Sequence, residues 1–311
     1  MLCEAFRQLW RSSRIATRVG LRRSSLMPVT TSILPLAAAA DTSWTIEPGA
    51  ILMILILGGL YLPRWWRVRR TDGAKAAPIW RLTSMLVGLA ALVLALLSPI
   101  DALAEQSFSF HMAQHMLLLD LVPIFCILGL NKILLRPATR RLQALERALG
   151  PLMHPWVAVV LYIVTMWAWH VPPAYDSALG NESVHVLEHV CFLSVGFLYW
   201  WQLLSPIRSR FHGGAMGPLL YMVSTKIGVG LLGILLTFAP NPLYSYSEVR
   251  EGIFGLSAGV DQQIGGELMA LEQTIVMVIA LVYLLFRAID QSEREQQRRE
   301  ALEDRAEEQR S

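Results

Sequence analysis

Charge is scarce in this chain, and thiol chemistry scarcer still. Lys, Arg, Asp and Glu make up 16% of its 311 residues, against about 25% in an ordinary soluble domain. With 54% of residues hydrophobic, that shortage excludes a typical soluble protein. Three cysteines and no CxxC pair exclude a disulfide framework, a thiol metal trap and a thiol-exchange centre. Cys3 falls in the N-terminal segment, whereas Cys126 and Cys191 lie within apolar stretches, where a small buried hydrophobe is the plain reading. No glycine-rich phosphate loop, serine elbow or nucleic-acid motif is present, so nothing marks the chain as an enzyme. The net charge of +3 sits in loops and gives no footprint for nucleic acid.

Long apolar runs are what the sequence has in quantity. They cover residues 48–62, 80–98, 108–130, 156–170, 184–204, 218–238 and 265–286. Crossing the hydrocarbon takes roughly 20 apolar residues, so 48–62 and 156–170 are short and must draw on flanking Trp and Tyr at the interface. Lipid leaves only helices and closed barrels as spanning structures, and continuous runs without alternation exclude the barrel. The expected fold is an all-α polytopic membrane bundle of about seven transmembrane helices.

Loop charges orient it. Basic loops carry Arg64, Arg67, Arg69, Arg70 and Lys75, then Lys132, Arg136, Arg140, Arg141 and Arg147, then Arg208 and Arg210. Acidic connections with Asp101 and Glu105, and with Asp176 and Glu182, alternate with them. The positive-inside rule then predicts an N-terminus outside and a C-terminus inside. Residues 1–40 combine an Arg-rich start, an apolar stretch and small residues near Ala40, as in a secretory signal whose translation starts at Met1 or Met27. Residues 41–289 form the membrane domain and 290–311 a charged cytoplasmic tail, helical or disordered.

Five of seven histidines fall at the outer ends of the apolar runs. His111 and His115 form an i,i+4 pair, as do His185 and His189 with Glu188 beside them, and His170 closes the fourth run. Ionisable groups at membrane depth are expensive and point to function. Paired histidines on facing helices are a common way to build a metal site in a bundle. Met112 and Met116 follow the first pair directly, but neighbouring helical residues point about 100° apart, so they are expected to pack rather than share one ion. His154 and His212 fall at the other end, without company.

The segments HMAQHMLLLDLVPIFCILG, WHVPPAYDSAL, VHVLEHVCFLSVGFLYWW, LLGILLTFAPNPLYSYS and DQQIGGELM resemble, in that order, the CtaG family of membrane-integral cytochrome c oxidase assembly factors. The resemblance runs from about Trp44 to Asp290. It implies a multi-pass protein of the bacterial inner membrane that helps to build haem–copper oxidases, with oxidase subunits and the bilayer as partners and copper as the metal handled. It also suggests a ligand set of His111, His115, His185 and His189, with His170 and Asp261 as auxiliaries. Where the family often continues into Trp and Pro-Gly, Met269 here is followed by Ala270, Leu271, Glu272 and Gln273. A membrane b-type cytochrome, with paired histidines on haem, is the alternative.

Three local expectations remain. Gly265 and Gly266 should let a neighbouring helix approach closely, bringing Asp261 over the histidines unless it merely caps a helix. Asp120 and Lys226, at similar depth in the third and sixth spans, should form a direct ion pair.

Overall fold

A computed structural model describes residues 40–207, 216–245 and 253–308, and among them every regular element is helical. The expected signal segment lies almost wholly outside the described residues, as do Arg208, Arg210 and His212. The helices are α1 (Pro48–Thr71), α2 (Ile79–Leu96), α3 (Pro99–Ala104), α4 (Phe108–Gly129), α5 (Lys132–Leu135), α6 (Thr139–Leu149), α7 (Pro155–Trp169), α8 (Pro172–Gly180), α9 (Glu182–Leu204), α10 (Met216–Thr237) and α11 (Ala258–Glu308). Six of them, α1, α2, α4, α9, α10 and the first half of α11, are long and apolar enough to cross a bilayer. The bent pair α7–α8 brings the number to seven if it counts as one span.

Bundle surfaces explain the composition. Leu52, Leu55, Ile56 and Leu60 on α1, Ile227, Leu231 and Leu235 on α10, and Ile275, Val278, Ile279 and Val282 on α11 are all exposed. An apolar belt of this extent belongs in lipid, and the chain is a multi-pass membrane protein.

One span departs from its expected boundary and another is short as expected, each for a local reason. α1 does not stop at 62 but runs through Pro63 to Thr71. Apolar patterning ends where the arginines begin, yet Arg69 and Arg70 stack on Trp65 and Trp66 at 5.3 and 4.5 Å from the ring centroids, one turn back on the same faces. α7 has only 15 residues. Val171 precedes a proline pair, which disfavours helical backbone, and the chain bends by 71° into α8. The expected tail is helical as far as Glu308, continuous with the last span.

Glycines set the closest approaches. A Cβ on Gly265 would come within 2.6 Å of Phe108 Cε1 on α4, and one on Gly266 within 2.7 Å of the Thr237 nitrogen on α10. The paired glycines therefore let α11 wedge between α4 and α10, as expected of small residues at a helix interface. Gly266→Leu should lower stability in detergent by about 1–3 kcal/mol, the usual range for overpacking, read as a fall in melting temperature.

Candidate metal centre

One helix start fixes the first histidine pair. Ser107 is the N-cap residue of α4 but does not cap it with its own side chain. Asp261, reaching across from α11, accepts hydrogen bonds from the Phe108 and Ser109 amides at 2.6 and 3.2 Å and from the Ser107 and Ser109 hydroxyls at 2.8 and 2.6 Å. A carboxylate satisfies the orphan amides of a helix start and complements its dipole. Asp261 was expected as an auxiliary ligand or an orienting residue, with a helix cap as the rival; its oxygens cap α4, the helix that carries His111 and His115. Asp261→Ala should cost about 1–2 kcal/mol, as for other lost caps, measurable by thermal unfolding.

The second pair is set the same way. Asn181 Oδ1 accepts from the Ser183 and Val184 amides at 2.9 and 3.2 Å, starting α9 so that His185, Glu188 and His189 occupy its first two turns. His170 follows the end of α7, where Tyr244 donates to its carbonyl at 2.9 Å. At the bend, α8 folds back over these residues: the buried Tyr175 ring lies 4.9 Å from His111, 6.3 Å from His170 and 4.1 Å from Tyr244.

All five expected histidines come together. Ring centroids are 4.2 Å apart for His111–His115 and for His185–His189, 5.4 Å for His111–His185, 6.0 Å for His115–His189 and 6.1 Å for His115–His170. At their centre is a residue that the histidine pattern alone did not assign to the site. Glu188 is fully buried and points one carboxylate oxygen at His111 Nε2 and the other at His115 Nε2, each at 3.5 Å. Its signal was its position three residues after His185, on the same helix face. His111, His185 and Glu188 each offer a donor atom, all within 4.8 Å of one another.

The hydrogen bonding is incomplete. Both ring nitrogens of His115, Nε2 of His185 and of His189, and both Glu188 oxygens are buried without a hydrogen bond. Native interiors rarely leave such groups unpaired, and a cluster of them calls for a ligand. Donors around a four-coordinate ion with bonds of about 2.0 Å lie roughly 3.3 Å apart, close to the separations around Glu188. The residues present therefore fit a small cation.

An acidic vestibule reaches the cluster from the side. This cavity, of about 310 Å³, is lined by Glu47, Asp101, Glu105 and Glu182 at one part and by His185 and His189 at another. Burial raises the Asp101 carboxyl to about 6, against opposing hydrogen bonds from Thr45 and Gln114. Asp101 thus adds its negative charge to the vestibule as the pH rises through that value. A cleft of one charge sign concentrates ions of the other.

Deeper in the bundle, Asp120 accepts from Tyr162 Oη at 2.9 Å and from Trp200 Nε1 at 2.6 Å. It sits in a π-helical turn of α4, Leu117–Leu121, whose Leu119 carbonyl presses on Gly196 of α9 so closely that no larger residue fits. Such turns are frequent at functional sites. The expected direct pair with Lys226 is absent: its ammonium makes no hydrogen bond and lies 5.9 and 5.8 Å from the centroids of the Tyr162 and Trp200 rings. Those two rings stand where direct contact was expected, and Glu272 of α11 supplies a second carboxyl beside Asp120. His154 serves locally, accepting from the Trp156 amide at the start of α7 at 3.3 Å.

A family model described as cytochrome c oxidase caa3 assembly factor matches residues 59–291. The chain belongs to that assembly-factor family. Its histidine cluster and most of its vestibule lie within the matched region. Among curated proteins it is similar to an uncharacterized protein of Mycobacterium leprae, 25% identical over 78% of this chain and 39% of that protein. Uncharacterized proteins of Mycobacterium bovis and Mycobacterium tuberculosis are each 28% identical over 55% of this chain and 28% of their own length. The chain thus spans less than half the length of these curated relatives. No solved structure matches it.

Proposed function

We propose that this assembly-factor chain is a bacterial inner-membrane protein that receives copper at the outer ends of α4 and α9 and passes it to a subunit of a haem–copper oxidase. The observation that carries the reading is the buried cluster of His111, His115, His185, Glu188 and His189 on an acidic vestibule, in which both His115 ring nitrogens, Nε2 of His185 and His189 and both Glu188 oxygens make no hydrogen bond. In it, neutral imidazoles would supply nitrogen ligands and Glu188 a compensating charge, a donor set suited to copper among other ions. His170 and Asp261 act from the side, one on the neighbouring wall and the other through the α4 cap. The protein performs no bond chemistry in this reading. It binds and releases a cargo ion.

Spacing favours an ion over haem. Axial ligation needs two histidines on opposite sides of a flat macrocycle, whereas these rings crowd one another, edge-on, tilted or stacked, at centroid distances of 4.2 to 6.1 Å, which leaves no room for a macrocycle between them. Metal analysis and an absorption spectrum of the detergent-purified chain test the proposal. Stoichiometric copper without a Soret band is expected; a Soret band with haem in place of copper would overturn it.

A further inference from the structure

Histidine and methionine alternate on α4 as His111–Met112 and His115–Met116. Adjacent residues diverge by about 100° on a helix, so a histidine and the methionine next to it do not aim at the same point. They can serve two ions. His111 and His115 face Glu188 on α9, while Met112 and Met116, with His115, line a narrow cavity of about 10 Å³ whose other walls are Met166 of α7, Met269, Glu272 and Gln273 of α11, and Leu119 and Asp120 of α4. Four methionines from three helices line it. Met112, Met166 and Met269 are all buried.

The contact between His170 and Met112 is informative. His170 Nδ1 lies 2.6 Å from the Met166 carbonyl oxygen, which can only accept, so Nδ1 carries the proton. In the neutral imidazole Nε2 then holds a lone pair. Nε2 is 3.1 Å from Met112 Sδ, and a thioether has no proton to offer. Two lone-pair donors thus face each other in a dry interior with nothing between them to share. His115, buried and without a hydrogen bond on either ring nitrogen, borders the same space. A nitrogen and a sulphur bound to one four-coordinate ion sit roughly 3.5 Å apart, a few tenths of an ångström beyond the observed contact.

We propose that Met112, Met116, Met166 and Met269, with His170, form a second cation site that is selective for Cu(I), beneath the histidine–glutamate site. Thioethers are soft ligands that hold Cu(I) and neglect harder divalent ions. Copper reaching the outer cluster would then move inward past His115, which borders both sites. This deepens the copper reading above and rests on it.

Selenomethionine-labelled full-length protein in detergent micelles, loaded with Cu(I) under a reductant, tests the site by X-ray absorption at the selenium edge. Two copper equivalents and a copper–selenium neighbour are expected. Met112→Leu with Met166→Leu, which nearly preserves core volume, should lose one equivalent and the selenium signal while keeping the other equivalent. Zn(II) binding at the outer cluster should persist and reports that this variant is folded. Glu188→Ala should do the reverse, keeping the selenium signal. Copper with no selenium neighbour in the unsubstituted protein overturns the sulphur site and leaves the histidine site standing. Absence of copper altogether overturns both.

Discussion

Glu188→Ala should lower copper affinity of the outer site by at least ~100-fold, the upper range for removing a supporting residue of a metal site. Glu188 is the carboxylate at the centre of the cluster, and both of its oxygens point at imidazole nitrogens. Without it a cation would enter a pocket of neutral rings with no compensating charge, at a depth where charge is costly. The effect on the metal-free protein should be opposite in kind. A buried carboxylate without hydrogen bonds costs stability, so its removal should leave the melting temperature unchanged or raise it. Bound metal stabilises a protein by about 2.7 kcal/mol at 100 times its Kd, and that copper-dependent rise should vanish in the variant. Cells carrying only Glu188→Ala should assemble oxidase with reduced copper content while the assembly factor itself accumulates. A variant with native affinity and an undiminished copper-dependent shift would remove Glu188 from the site. His111→Ala with His115→Ala should give the same loss by removing two ligands directly.

The histidine quintet was legible because two simple periodicities point to it. Spacing of i,i+4 puts each pair on one helix face, and alternating loop charge puts the ends of three apolar runs at one level. Glu188 was harder to assign, since a single carboxylate within an apolar run looks much like an incidental interfacial residue. Its i,i+3 relation to His185 was the usable clue. Asp261 shows a different limit. A sequence displays a cap for the helix in which it lies, but Asp261 caps α4 from α11, an association set by the glycine-mediated approach of the two helices. The methionines were first assigned to packing because one helix cannot aim neighbours at one ion. That Met112 and Met116 share a cavity with Met166 and Met269 depends on where α7 and α11 arrive. The first span was underestimated because its arginines resemble a loop until Trp65 and Trp66 are seen beneath them.

Asp120→Ala should be among the most destabilising substitutions in the membrane core, by about 3–5 kcal/mol, as for removing one member of a buried charged network. It would leave the Tyr162 hydroxyl and Trp200 indole without their acceptor and the buried Lys226 ammonium without a nearby carboxylate on α4. Lys226→Met should cost far less, on the order of 1 kcal/mol, because it removes an ammonium that makes no hydrogen bond and leaves an apolar chain of similar length. This asymmetry separates a ring-bridged cluster from a simple ion pair, in which both single changes would be comparably harmful. The exchange Asp120→Lys with Lys226→Asp sharpens the distinction. A direct pair tolerates reversal, because only the charges change places. Here the Asp120 position is defined by two donors aimed at it, and an ammonium there would leave the Trp200 indole N–H, which can only donate, without an acceptor. Glu272, already beside Asp120, could offset part of the charge but none of the lost acceptor geometry. The doubly exchanged protein should therefore be no more stable than Asp120→Ala when unfolded in mixed micelles. Recovery to within about 0.5 kcal/mol of the unsubstituted chain, the usual margin of additivity, would restore the direct pair and remove Tyr162 and Trp200 from the role assigned to them.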